Sequence, residues 1–253
     1  MTDSLSIIAI HGNGGGGFRF ERLRPYLPPT VRFEAPTLPG FGGEPADASL
    51  RTLADYAGWL RDRFFPPHAR PILLGHGIGG SIVLEYLQHF PETVGGVILH
   101  APVGANLDTR FFPKLMGFEV TRSFGKWLFS SEIARPVFRR MLFSESVPDD
   151  YLDKFFGEYR QCAAFSQMFD LITADWFAGL KPVDLPATLL WGARERVLKV
   201  EQAAAFREKL PRAETVIVEH WDHFPMIEQP EAYAGKIVEL ARSLTSPTPV
   251  NLA

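Results

Sequence analysis

The side chains and turns in this sequence that could do chemistry gather around one glycine-dense hinge. Pro71-Ile-Leu-Leu-Gly75-His-Gly77-Ile-Gly79-Gly80-Ser-Ile-Val-Leu-Glu85 reads as a short buried strand, a hinge and a helix. Ile72, Leu73 and Leu74 form a continuous apolar run, and Ile82, Val83, Tyr86, Leu87 and Phe90 recur at helical spacing. A G-x-S-x-G nucleophile elbow has this context and holds its serine on a strained turn above a parallel sheet. Here the central position is Gly77. His223 follows an apolar strand and stands in a loop, where an imidazole can serve as a general base. His11 and His76 fit loop packing, although His76, beside the hinge, is also a candidate to touch substrate. His220 reads as a loop residue and Cys162 as a buried small apolar group.

Gly75-x-Gly77-x-x-Gly80 also fits a dinucleotide fingerprint, in which a pyrophosphate sits on the helix N-terminus. That reading needs an acidic residue about twenty positions on, at the end of the next strand. Val97-Ile98-Leu99-His100-Ala101 ends without one.

The elements that must position these groups alternate. Ser6–Ile10 is a buried strand running into His11-Gly12-Asn13 and four further glycines, and residues 18–27 suggest a short helix. A second strand at 32–35 leads into the glycine-proline turn at 36–43, and residues 49–65 form an amphipathic helix. The hinge and the strand at 97–101 follow. After residue 181 come a strand at 187–192, a helix at 200–210, a strand at 215–219 and a helix from Pro230 to about Leu244. Apolar strands alternating with helices predict an α/β protein with a mostly parallel sheet covered on both faces.

Between about 106 and 181 the alternation stops. Twelve of the 21 phenylalanines fall there, Phe111, Phe112 and Phe124 among them, beside Trp127 and Trp176. That is too many for an ordinary linker, so the stretch is expected to be a helical subdomain, some of whose rings line an apolar substrate chamber. The expected division is 1–105 with 182–253 as core, and 106–181 as cap. The chain has 253 residues, 46% hydrophobic and 22% charged, with net charge −3. No basic excess suggests nucleic acid. A single cysteine leaves no intramolecular disulfide and no Cys-rich zinc site. No basic-then-apolar stretch precedes the first strand, and no run reaches the roughly 18 apolar residues of a membrane span. A soluble cytoplasmic protein is therefore expected, with a short polar tail at Ser243–Ala253. Oligomeric state is not readable.

Several segments together resemble the α/β-hydrolase superfamily over essentially the whole chain. His11-Gly12-Asn13 and its glycines look like that family's oxyanion loop. Leu38-Pro39-Gly40-Phe41-Gly42 is similar to its D-x-P-G-F-G turn, with Thr37 where Asp is usual. Trp191-Gly192-Ala193-Arg194-Glu195 resembles W-G-x-x-D and places Glu195 at the acid position. Asp222-His223-Phe224-Pro225, with Glu228 and Pro230, resembles G-H-F-P-x-x-E-x-P, with Asp222 for the leading Gly and His223 at the catalytic histidine. The order elbow, acid, histidine is the family's. Asp222 is the substitute acid should Glu195 be a surface carboxylate.

The resemblance implies an α/β-hydrolase fold with an inserted cap and a cleft at the C-terminal ends of the strands. Gly77 removes the side chain that would attack a carbonyl, so no acyl-enzyme can form there. Ser81, a full turn into the helix, points away. The amides of Asn13 and Ile78 could still form an oxyanion hole, and a His223–Glu195 pair could still act as a general base. His76, Phe124, Trp127 and Phe224 are expected to line the substrate site. The expected activity is hydrolase-type, on a small, largely apolar carbonyl or ester-like substrate, without metal or organic cofactor. A cofactor-independent lyase, isomerase or oxygenase would use the same pair. Two alternatives stay open: a serine esterase or C–C hydrolase inactivated by serine-to-glycine replacement at position 77, and a binding protein that kept the pocket.

Overall fold

The computed structural model describes residues 5–65, 70–108 and 116–245. Phe111, Phe112 and the polar tail beyond Thr245 lie outside the described residues. Six strands, β1 (Leu5–Ile10), β2 (Val31–Glu34), β3 (Ile72–His76), β4 (Gly96–His100), β5 (Ala187–Gly192) and β6 (Ala213–Val218), form one sheet in the order β2-β1-β3-β4-β5-β6. Every pairing is parallel, in a register that runs Ile7↔Ile72, Ile72↔Gly96, Val97↔Ala187 and Ala187↔Ala213. All residues of β3, β4 and β5 are buried, as their continuous apolar runs require when helices cover both faces. The edge strand β6 leaves Ile217 exposed.

The short helix expected after β1 is a 3-10 segment, Gly17–Tyr26. Pro25 lies inside it and removes one main-chain donor near its C-terminal end. Helix α1 (Leu53–Phe64) starts four residues later than its apolar periodicity suggests. Thr52 stops it there in a capping box: its hydroxyl accepts from the Asp55 N–H, and the Asp55 carboxylate accepts from the Thr52 N–H. Helix α2 (Ile78–His89) packs beside α1, and the 3-10 segment packs with the C-terminal helix. Right-handed crossovers put these two pairs on opposite faces of the sheet.

Between β4 and β5 come α3 (Glu119–Phe129), α4 (Arg135–Leu142), α5 (Asp149–Gln161), α6 (Gln167–Leu171) and α7 (Ala174–Gly179). The expected helix at 200–210 is a 3-10 turn, Val200–Gln202, continued by α8 (Ala203–Lys209). A one-turn α9 (Pro225–Glu228) precedes α10 (Pro230–Thr245). Among the described residues no helix is long and apolar enough to cross a membrane.

The chain leaves β1 toward β2 and later returns to the other side of β1 to form β3. Beyond the carboxyl ends of β1 and β3 the strand order therefore reverses, which is where open α/β sheets form a crevice. The glycine loop after β1 and the hinge after β3 meet at that point.

Candidate active site

Gly77 caps α2 with φ 57° and ψ −121°, a conformation that favours glycine. Three main-chain bonds pin it: its N–H donates to the His100 carbonyl at 3.1 Å, and its carbonyl accepts from Gly80 at 3.1 Å and Val103 at 3.0 Å. A Cβ added here would meet only the Gly12 Cα, at 3.6 Å, so space for a side chain exists. Gly79 is the reverse case. Its Cβ would lie 2.2 Å from the Ile10 carbonyl oxygen, and glycine lets α2 run directly against the end of β1. This close approach brings the Gly12–Asn13 turn over the hinge. Among the described residues the main-chain N–H groups of Asn13 and Ile78 donate to no main-chain carbonyl. The Asn13 side chain is occupied, accepting from the Gly14 N–H at 2.9 Å and donating to the Phe165 carbonyl at 3.3 Å.

His223 and Glu195, which come from the loops after β6 and β5, meet at 2.6 Å between Nδ1 and Oε2. A carboxylate can only accept, so Nδ1 carries the proton and Nε2 is left with its lone pair. The other oxygen of Glu195 accepts from the amides of Val197 at 2.6 Å and Leu198 at 3.0 Å. Burial pushes the Glu195 carboxyl up, but the His223 ring and those two amides pull it further down, and the net position is below the ordinary range. The group is therefore an ionised acceptor at neutral pH. Asp222, the substitute acid, does not reach the imidazole. Its carboxylate accepts from the His223 N–H at 2.9 Å, the Ser144 hydroxyl at 2.8 Å and Arg196 Nε at 3.3 Å, tying the α4–α5 loop to the histidine loop.

His76 and His100 are buried beside this pair. His76 Nε2–H donates to the His223 carbonyl at 3.1 Å, and its ring centre is 4.7 Å from His223 and 4.9 Å from His100. Burial, then the neighbouring His223 and His100, drive His76 well below the usual imidazole range. Burial takes His100 down to about 3 and His11 to about 4. His11 spans the turn below, donating from Nδ1 to the Gly12 carbonyl and accepting at Nε2 from the Leu38 N–H at 3.1 Å. All three are neutral, and His76 is tied to the histidine loop by its hydrogen bond to the His223 carbonyl.

Sequence reasoning missed two buried polar groups. His100 ends β4 next to the hinge; Nδ1 meets the Tyr233 hydroxyl at 3.2 Å while Nε2 has no partner among the described residues. Arg19, 1% exposed, lies between the glycine loop and α5, with Nε 3.6 Å from Glu158 and its guanidinium 4.3 Å from the centre of the Phe155 ring. A Cβ on Gly15 would fall 1.9 Å from Arg19 Nε, so the arginine is packed hard against the loop that carries Asn13. The available signal was a lone cation between Phe18 and Phe20, where the 3-10 segment faces inward.

The expected aromatic lining divides. Phe224 stands 4.5 Å from His223 and 5.5 Å from His76 between ring centres, and touches Phe143 and Phe155 in turn. Phe124 and Trp127 are not brought to the imidazole. They lie on the outward side of α3, more than half exposed, with ring centres 5.7 Å apart. Phe143 and Phe155, from α4–α5 and α5, hold the position near Phe224 instead. A 310 Å³ cavity between α4 and α5 is lined by Arg139, Phe143 and Leu152, and its walls include neither Gly77 nor His223. Ser81 turns away and donates to the Val103 carbonyl at 2.7 Å. Burial raises the Cys162 thiol to about 11. Among the described residues no group of three or more His, Cys, Asp or Glu could hold a metal ion.

Comparison with known proteins agrees with this architecture. The pimeloyl-[acyl-carrier protein] methyl ester esterase of Aromatoleum aromaticum is 25% identical over 252 residues, spanning 93% of this chain and 98% of its own. An esterase from Exiguobacterium antarcticum superposes with a TM-score of 0.73 at 18% identity, covering 96% of this chain and 93% of that one. A thermophilic esterase from Thermogutta terrifontis gives 0.68 at 18% identity, over 96% and 91% of the two chains. The profile of the alpha/beta hydrolase family matches residues 7–236, and the chain belongs to that family.

Proposed function

We propose that this protein is a serine-free hydrolase in which His223, held by Glu195, activates water above Gly77. The substrate is small and largely apolar, with one ester-like carbonyl. The supporting observation is the 2.6 Å Nδ1–Oε2 bond, which leaves Nε2 as a proton acceptor. Water attacks the carbonyl carbon and gives its proton to Nε2. The oxygen that becomes negative is met by the amides of Asn13 and Ile78, each such donor being worth about 3–4 kcal/mol in comparable sites. The C–O bond then breaks, the leaving alkoxide takes the proton from Nε2, and acid and alcohol result. Residues 106–181 act as the cap that closes this site, with Phe143 and Phe155 against Phe224. Similarity to a pimeloyl-[acyl-carrier protein] methyl ester esterase supports a methyl ester among the ester candidates.

The test is turnover of a panel of alkyl and aryl esters read by mass spectrometry. The expected result is hydrolysis in the parent chain that His223→Ala lowers by at least about 10²-fold. Hydrolysis indifferent to His223→Ala, or none on any ester, would overturn the reading. One observation favours a second reading, a serine esterase whose nucleophile has become glycine: the turn at 77 has room for a side chain it does not carry.

A further inference from the structure

One carboxylate joins three separate pieces of the site. Asp222, its side chain wholly buried, divides its two oxygens between different partners. Oδ1 accepts from the His223 N–H at 2.9 Å, while Oδ2 accepts from the Ser144 hydroxyl at 2.8 Å and from Arg196 Nε at 3.3 Å. Those partners belong to the histidine loop, to the turn between α4 and α5, and to the acid loop. Arg196 stands between Glu195, which holds the imidazole, and Val197, whose amide holds Glu195. It also reaches across to the helices between β4 and β5: Nη2 donates to the Ser144 hydroxyl at 3.3 Å and Nη1 to the Arg140 carbonyl at 3.4 Å.

The α4–α5 turn is gripped a second time from the same segment. Glu228 Oε1 accepts from the amides of Ser144 at 2.6 Å and Glu145 at 2.7 Å, and Gln229 donates to the Glu145 carboxylate at 2.5 Å. Phe143, just before the turn, packs on Phe224 with ring centres 5.6 Å apart. A buried carboxylate is costly unless its oxygens have donors. Here three donors, the Ser144 hydroxyl and the amides of Ser144 and Glu145, come from this turn. If the turn lifted away, Asp222 would lose one of them directly beside the imidazole. The main chain of His223 is otherwise pinned at both ends, its N–H by Asp222 and its carbonyl by the His76 Nε2–H at 3.1 Å. Asp222 stands where the G-H-F-P-x-x-E-x-P signature carries glycine, which has no side chain to make any of these bonds.

We propose that Asp222 is a positioning residue that couples docking of the α4–α5 turn to the alignment of His223 with Glu195. With Ser144 in place, the two oxygens of Asp222 hold the histidine loop and the acid loop at the spacing of the 2.6 Å Nδ1–Oε2 bond. Without Ser144 that hold slackens and the bond loosens. The inference deepens the hydrolase reading and rests on His223 being its base. Its test is nevertheless made on the resting protein, with no ester present.

The experiment is proton NMR of the full chain, following the His223 Nδ1 proton. A short bond to a carboxylate moves that proton far downfield and protects it from exchange with water. It is assigned by its loss in His223→Gln. Asp222→Ala and Ser144→Ala are each expected to move the resonance upfield and to speed its exchange about fivefold or more, the weight of one hydrogen bond. Asp222→Asn should resemble Ser144→Ala, because its carbonyl still accepts from the His223 N–H while its amide cannot accept from Ser144 or Arg196. Asp153→Asn breaks a different ion pair, the one between α5 and Arg135 of α4, and should leave the resonance unchanged. Circular dichroism melts identify the variants that fold. An unchanged resonance in folded Asp222→Ala or in folded Ser144→Ala would overturn the proposal. An equal shift in Asp153→Asn would also overturn it, since any loosening between α4 and α5 would then suffice. A parent chain without the downfield proton would remove the His223–Glu195 bond and the hydrolase reading with it, whereas an unresponsive proton removes the coupling alone.

Discussion

At position 77 two residue-scale facts point in different directions. The backbone there holds φ 57° and ψ −121°, which costs a non-glycine residue about 1–3 kcal/mol, yet a Cβ would find only Gly12 nearby. Gly77→Ser should therefore fold, with a lower urea midpoint, and place a hydroxyl in the crevice shared with His223. If it does, a serine-reactive phosphonate will add its mass to the variant and leave the parent unlabelled. An unlabelled but folded variant would mean that the imidazole cannot reach the new hydroxyl. The His223–Glu195 pair was legible in the sequence because each residue sits in a short local signature, and the structure brings the two within 2.6 Å. Arg19 and His100 were not legible. Each is a single polar residue among apolar neighbours, and what marks them is a partner far along the chain, Glu158 for one and Tyr233 for the other.

Among the elements, the β1–α2–β3 unit was readable from continuous apolar runs and glycine spacing, since close packing of a helix onto strands demands residues without Cβ. Gly79→Ala tests this directly. Its methyl would sit 2.2 Å from a main-chain carbonyl oxygen, which cannot swing aside as a side chain could. The expected loss is about 2 kcal/mol or more, measured by urea unfolding. Gly58→Ala, in the interior of α1 with no atom within 4 Å of the added methyl, is the matched control and should gain about 0.5–1 kcal/mol. Equal effects of opposite sign to these would place the helix–strand contact elsewhere. The helices between β4 and β5 show where sequence reading ended. Periodicity finds an apolar stripe but not which way it faces, and on α3 the stripe that suggested a substrate chamber faces outward.

For the molecule as a whole, three buried imidazoles with depressed pKa values set the acid limit of stability. His11 falls to about 4, His100 to about 3, and His76 lies well below 6.5, all first because burial disfavours their charged forms. Above pH 6.5 each is neutral both folded and unfolded, so their contribution is fully present. Below it the unfolded chain takes up protons that the folded chain refuses, and stability falls until the folded values are reached. Three protons would give about 4 kcal/mol per pH unit at most, from about 1.4 each. Glu195, held low, adds to the loss below its unfolded value near 4.5. Glu158 and Glu228 oppose it, because burial raises their carboxyls and the folded chain takes those protons first. The urea midpoint should thus be level between pH 7 and pH 8 and fall steeply from pH 6 to pH 4. His100→Gln should reduce the slope by about 1.4 kcal/mol per pH unit in that window. A slope unchanged by His100→Gln would show that this histidine does not take up its proton on unfolding, and would locate the acid sensitivity in the carboxylates instead.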